Sequence, residues 1–373
     1  MKWLVITILF CSMISCIHDP ISPIPDSPDE IQLKWNASYE NDKIDDAILG
    51  LNWALSQVGG KNTRNSTNGF EINEQTITLN LNQIQFSEKG YLAMFSLHQS
   101  LKNSETYYKN GSIDVGRYIT LLIGSSIHYY RFVNMPAHLS EVISKYKLQP
   151  QKGFLNNSAI SPNHRTLAFS APEHLNQLFL SSEIDSVTGR TIEFETMELG
   201  SNGQIIFGIF DADSHLVNSA DPSISASGKP AKCMWCHESK INPLFRTQSD
   251  SLGFLTANQL RDSLVSFRQI HIESQSHLSS GIYYSKLEAH VQMELQYILF
   301  KQPSPMRLAN EWNMTQNKVE TLLANQPRFT YPEFPFLPAG YIRNNIESYA
   351  PFIGLLTSKS VREPSPYEVN YID

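Results

Sequence analysis

Residues 233–237 read Cys-Met-Trp-Cys-His, and their types and spacing are what this chain offers chemistry. Positions i, i+3 and i+4 share a face on a helical turn. Cys233, Cys236 and His237 would therefore present two nucleophilic sulfurs and an imidazole side by side. Three chemistries use such a set: a dithiol that cycles with a disulfide, a metal site, or a prosthetic group held by thioether bonds with the imidazole on its metal. A thioredoxin-type dithiol follows a strand and opens a helix inside a βαβ unit, whereas residues 218–232 form a Ser-, Ala-, Pro- and Gly-rich loop. A structural zinc site needs four ligands, and no second CxxC or His-x3-His pair completes one.

The pentapeptide matches C-x-x-C-H, the attachment signature of c-type haem. With four cysteines and eleven histidines in the chain, chance produces it in roughly one chain in a thousand, so the motif carries information. This segment resembles c-type cytochromes. The resemblance implies one covalent haem c, with thioether bonds from Cys233 and Cys236 and with His237 as proximal iron ligand. Residues 237–245 also resemble the cytochrome stretch in which a proline carbonyl accepts the proximal histidine's other N–H. Pro243 would take that part, with Asn242 where the family carries glycine. The family's sixth ligand is usually a methionine several tens of residues beyond the motif. Met293, Met306 and Met314 stand at such distances, and His271, His277 and His290 offer a bis-histidine alternative. Met306, between Pro305 and Arg307 at a proline-flanked helix start, resembles the methionine-bearing loops of the family and is the expected ligand, with Met293 and His290 next. An open sixth position would instead make the iron a ligand binder or catalyst.

The N-terminus is consistent with haem attachment outside the cytoplasm. Lys2 is followed by the apolar run Leu4–Ile14 and then Ser15-Cys16, which describes a secretory signal over residues 1–15. The run is too short to span a membrane, which takes about 20 apolar residues. Met13-Ile14-Ser15-Cys16 resembles the lipobox of bacterial lipoproteins, with methionine where leucine is preferred. The resemblance implies acylation of Cys16 and anchoring at the cell envelope, with the outer membrane expected. Pro20, Pro23, Pro25 and Pro28 then make residues 16–35 read as an extended tether. The net charge of −7 and the absence of any Lys/Arg run give no basis for nucleic-acid binding.

The elements that must position the motif read as an α+β protein, because no regular β-α alternation runs along the chain. Helical periodicity covers residues 42–55, 87–101 and 137–146, and strand patterns cover 75–82, 165–170, 191–195 and 204–210. The alternation slips at Gln83, which predicts a bulge. Residues 36–220 thus form a mixed domain of unassigned role. Residues 221–373 read as a mostly helical, cytochrome c-like, haem-bearing region, with a Ser304-Pro305 helix start and a proline-rich, irregular tail. The expected function is one-electron transfer at the envelope with a redox partner protein, a carrier rather than a catalyst. The alternatives are a haem enzyme or ligand binder with an open iron site, and a non-haem binding lipoprotein whose CxxC is incidental.

Overall fold

A computed structural model describes residues 29–61, 69–246, 248–278 and 287–373. The signal at 1–15, Cys16 and the tether up to residue 28 lie outside the described residues. Among those described, no helix is long and apolar enough to cross a membrane.

The chain is α+β. A first sheet has the order β2-β3-β1-β4, built from β1 (Glu30–Lys34), β2 (Phe70–Asn73), β3 (Thr76–Asn80) and β4 (Ile113–Asp114). β1 corrects the tether boundary. Ile31 and Leu33 alternate with Glu30, Gln32 and Lys34, and both apolar side chains are fully buried, so residues 30–34 are a core strand. The slip near Gln83 is also corrected. It marks the short helix Leu81–Ile84, whose first turn is capped by the Asn80 side chain accepting from Asn82 N–H at 3.0 Å.

The second sheet is a five-stranded antiparallel meander in chain order. Its strands are β5 (Gly153–Leu155), β6 (His164–Phe169), β7 (Leu178–Ile184), β8 (Thr191–Leu199) and β9 (Ile205–Asp211). Successive side chains alternate between faces, so the register decides which residues act together. Met197 stands between Phe179 and Phe207, and Glu195 between Ser181 and Ile209. Arg165 stands beside Glu183, and Leu167 beside Ser181. These side chains share one face.

That face is covered by two helices from beyond residue 220. Helix Ala257–Ser276 lays Phe267 against Phe169 and Phe179, with ring centroids 5.2 and 5.9 Å apart. The motif helix Pro230–His237 packs on β9 and on helix Ser126–Phe132. Farther off, helix Ile44–Gln57 crosses helix Leu287–Lys301 at Gly50, where a Cβ would fall 2.6 Å from the Gln292 carbonyl oxygen. Only glycine lets the two backbones approach so closely. One core therefore runs across the 220/221 boundary, joining Ile31, Leu51 and Ile119 to Leu264, Ile298 and Val361. Beyond the boundary the Ser304-Pro305 start opens helix Pro305–Glu311, with helix Gln316–Leu322 following, and Ser304 caps the first by accepting from Arg307 N–H at 3.1 Å.

Candidate functional site

The motif helix is fixed at both ends. Before it, Gly228 has φ +68°, and a Cβ there would lie 2.5 Å from the Arg362 carbonyl oxygen. The next residue, Lys229, donates its backbone N–H to that oxygen at 2.8 Å. Its side chain is buried and donates to the Gly124 and Ser360 carbonyls at 2.9 and 3.0 Å, with Glu368 paired at 2.6 Å. Pro230 then opens the helix at a position where its missing N–H costs nothing. At the other end Glu238 and Ser239 both adopt left-handed backbone, with φ 48° and 62°. Such residues cost about 1–3 kcal/mol each and persist where surroundings hold them. Here Ser239 Oγ donates to Gln204 Oε1 and accepts from Gln57 Nε2 at 3.3 Å, while its carbonyl accepts from Gln275 Nε2 at 3.1 Å. Asn242 Nδ2 donates to the His237 carbonyl at 3.2 Å and closes the turn.

Held this way, Cys233, Cys236 and His237 line one wall of a cavity of about 370 Å³, within the range of cofactor sites. The opposite wall is the sheet face, chiefly Leu167, Phe179, Met197, Phe207 and Ile209. Pro243 lines the cavity too, but its carbonyl does not take the hydrogen bond expected of it, since His237 Nδ1 has no hydrogen-bond partner. Residues 36–220, which the sequence leaves without a role, thus build half of the site.

The electrostatics are those of a mainly apolar pocket. Burial pushes the His237 imidazole down to about 4, against the opposing influence of Glu195 and of the Lys240 backbone. The ring is therefore neutral at pH 7, and its buried Nδ1 has no hydrogen-bond partner. Phe207 lies beside it, ring centroids 5.6 Å apart. Burial, then the charge of Glu195, pushes the Cys233 thiol well above its ordinary value, and burial raises Cys236 despite Lys232 and Arg362. The two sulfurs are not bridged. A redox dithiol works through a stabilised thiolate, and both shifts run the other way. Among the described residues no three His, Cys, Asp or Glu side chains are placed to hold a bare metal ion. The residues do fit a covalent haem: two sulfurs and a neutral imidazole with an unsatisfied nitrogen face one apolar cavity.

The expected axial residues are not brought to it. Met306 lines a separate groove with Tyr39, Phe336 and Leu337. Met293 is buried in the core where helix Leu287–Lys301 meets Gly50. His290 packs against the rings of Trp53 and Trp235, at 6.4 and 6.1 Å. His271 Nε2 donates to the Gly203 carbonyl at 3.1 Å, and Met314 packs against the cluster around Leu308 and Trp312. None of these lines the cavity, whereas Met197 does. Its place precedes the motif in sequence, and only the register of β8 reveals it.

The buried histidines make the fold acid-sensitive. Burial lowers His98 to about 3 and His237, His271 and His290 to about 4. Their stabilisation is present above the ordinary histidine value and is lost as pH falls toward 4, because the unfolded chain binds the protons first. Glu193 and Glu294, raised by burial to about 7 and about 8, act in the opposite sense. The imidazoles outnumber the carboxyls by two. Stability of the haem-free chain is expected to fall by roughly 2–3 kcal/mol per pH unit below about pH 6.5. Urea midpoints at pH 6.5 and 5 measure this, and equal midpoints would contradict it.

Comparison with protein-family models, with curated proteins and with solved structures finds no match to this chain.

Proposed function

We propose that the chain is a monohaem c-type cytochrome lipoprotein that transfers single electrons at a bacterial cell envelope. The observation that carries this reading is the shared cavity wall: CxxCH residues spaced for thioether attachment face an apolar sheet across a cofactor-sized space. When bound, haem supplies reversible Fe(III)/Fe(II) chemistry. Cys233 and Cys236 hold its edge, and the neutral His237 nitrogen serves as ligand. The apolar sheet face excludes water. Among the described residues no three His, Cys, Asp or Glu side chains converge on one point, so an iron held here would come as part of a prosthetic group.

The resemblance to cytochromes c is confined to the motif, since the cavity walls come from a β-meander as well as from the helical region. Met197 is the thioether on the wall facing the motif helix. Of the other charged groups lining the cavity, Glu195 on the sheet is engaged by Arg165 at 2.8 Å and Lys232 on the motif helix by Glu363 at 2.8 Å. Met197 would therefore be the thioether available to an iron held at His237, in place of Met306. Acylated Cys16 would supply the anchor, with the folded body held off the membrane by residues 17–28. The redox partner is a protein of the same compartment.

The test is a reductive titration of the mature protein under carbon monoxide. A carrier is expected to cycle reversibly between oxidised and reduced spectra without binding the gas on mixing. Prompt carbon monoxide binding would favour the open-iron reading, and a protein without haem colour would contradict both.

A further inference from the structure

The sheet face that walls the cavity also carries buried polar groups that electron transfer by itself does not use. Arg165 on β6 stands opposite Glu183 on β7, which stands opposite Glu193 on β8, with Glu195 two residues along. Arg165 Nη1 donates to Glu195 Oε2 at 2.8 Å, and its Nε pairs with Glu183. Arg165, Glu183 and Glu193 are 5%, 2% and 2% exposed. Two carboxylates thus pair with one guanidinium, and a third carboxyl, that of Glu193, stands beside them on the next strand, largely out of water. Burying that excess negative charge is costly, and a proton on one carboxyl relieves it.

Two serines connect this cluster to the cavity. Ser227 Oγ donates to Glu195 Oε1. Ser225 Oγ lies 3.0 Å from Ser227 Oγ and 3.0 Å from Glu193 Oε1, so its single hydrogen can serve either neighbour. The Asp221 backbone N–H donates to Glu193 Oε2 at 3.0 Å, and Asp221 itself is exposed. An unbroken chain of polar atoms therefore runs from Glu195 and Ser227, both lining the cavity, to Glu193 beside the surface loop. The charge of Glu195 already acts on both Cys233 and His237.

We propose that Glu193 is a proton-accepting site tied to the cavity through Ser225, Ser227 and Glu195, so that an electron delivered to the iron at His237 draws one proton onto Glu193. The inference rests on the haem reading. One electron comes from an external one-electron donor and reduces Fe(III) to Fe(II). One proton comes from bulk water and bonds to a Glu193 carboxylate oxygen, no other bond changes, and oxidation returns both. Charge added in a low-dielectric cavity raises the proton affinity of nearby carboxylates.

The groups facing Glu193 are Arg165 from β6, Glu183 from β7, Glu195 on its own strand, Asp211 from β9 and Asp221 from the following loop, with Lys232 on the cavity's helical wall. Burial, then Glu195, pushes the Glu193 carboxyl up to about 7, against Asp221, Ser225 and Arg165. Well below that value Glu193 is protonated in both oxidation states and the potential is flat with pH. Above it, the proton is held in the reduced state only, and the potential falls as pH rises.

The experiment is a spectroelectrochemical titration of the mature protein between pH 5 and 9, beside Glu193→Gln and Glu198→Gln. Glu198 faces the other side of β8, bonded to the Tyr146 hydroxyl at 2.9 Å. The wild type and Glu198→Gln are expected to approach a slope of about −59 mV per pH unit above neutrality, the value for one proton per electron. Glu193→Gln is expected to be flat. A reduced-minus-oxidised infrared spectrum of the wild type needs no variant and should gain a protonated-carboxyl band. A haem-bearing wild type with a flat potential and no such band, or a Glu193→Gln variant that keeps the slope, would overturn the relay and leave the haem reading standing. A protein without haem overturns both.

Discussion

Met197→Leu is expected to open the sixth position of the iron while leaving the covalent attachment intact. The thioether is replaced by a branched alkyl group of similar volume, so the fold should lose less than about 1.5 kcal/mol. Met197→Ala would confound the result, because large-to-small core changes cost about 2–5 kcal/mol. With leucine in place the ferric protein should become high-spin, and the reduced protein should bind carbon monoxide on mixing. The midpoint potential should fall, since a methionine ligand raises it. Met306→Leu, altering a groove away from Cys233, Cys236 and His237, should change none of these. A wild-type spectrum from Met197→Leu together with a high-spin Met306→Leu would return the assignment to the position that cytochrome spacing favours.

The largest expected loss of stability lies elsewhere, at Asp114. Its carboxylate receives Arg307 Nη2 at 2.6 and 2.7 Å and Asn36 Nδ2 at 2.7 Å, and it caps the helix Val115–Ile123 by accepting from Arg117 N–H at 2.9 Å. Burial alone would raise this carboxyl, but Arg307 and Arg343 hold it below the usual range. Arg307 is fully buried. Asp114→Ala strands its charge, and breaking such a pair from one side costs about 3–5 kcal/mol. The pair joins β4 to the helix Pro305–Glu311, so the loss would fall on the core that joins the two halves of the chain. Arg307→Met added to Asp114→Ala should recover part of it, because the uncompensated charge is gone. Urea midpoints of the wild type, both single variants and the double variant measure the coupling. A cost below about 1 kcal/mol for Asp114→Ala would contradict the account.

The parts of this molecule legible in its sequence are those whose chemistry is local. Five residues carry the CxxCH signal, and Ile31/Leu33 alternate as plainly as any strand, although the prolines before them draw the eye to a tether. β7 was hidden for a physical reason. Its inward face carries Ser181, which lines the cavity, and Glu183, which is paired with Arg165, so that face reads as a solvent face. The helix Val115–Ile123 escaped for the opposite reason: all nine residues are buried, and its polar stripe is used inside the protein, with Arg117 bonded to the Leu355 carbonyl and to Glu347, so it marks no solvent face. Three strands of the wall opposite the motif are legible, at 165–170, 191–195 and 204–210, but their partners across the sheet are not. Phe179, Met197 and Phe207 become neighbours only through strand register, a pairing of residues far apart in the chain. Spacing rules borrowed from small helical cytochromes direct attention downstream to Met306, while the sheet lies upstream.

Covalent haem on Cys233 and Cys236, with His237 as ligand, can be read from a pyridine haemochrome spectrum of the chain co-expressed with haem-maturation machinery, beside a Cys233→Ala/Cys236→Ala double variant. A c-type α-band that stays with the denatured wild-type polypeptide and is absent from the double variant is expected. A colourless wild type, from cells that mature a control cytochrome normally, would contradict it.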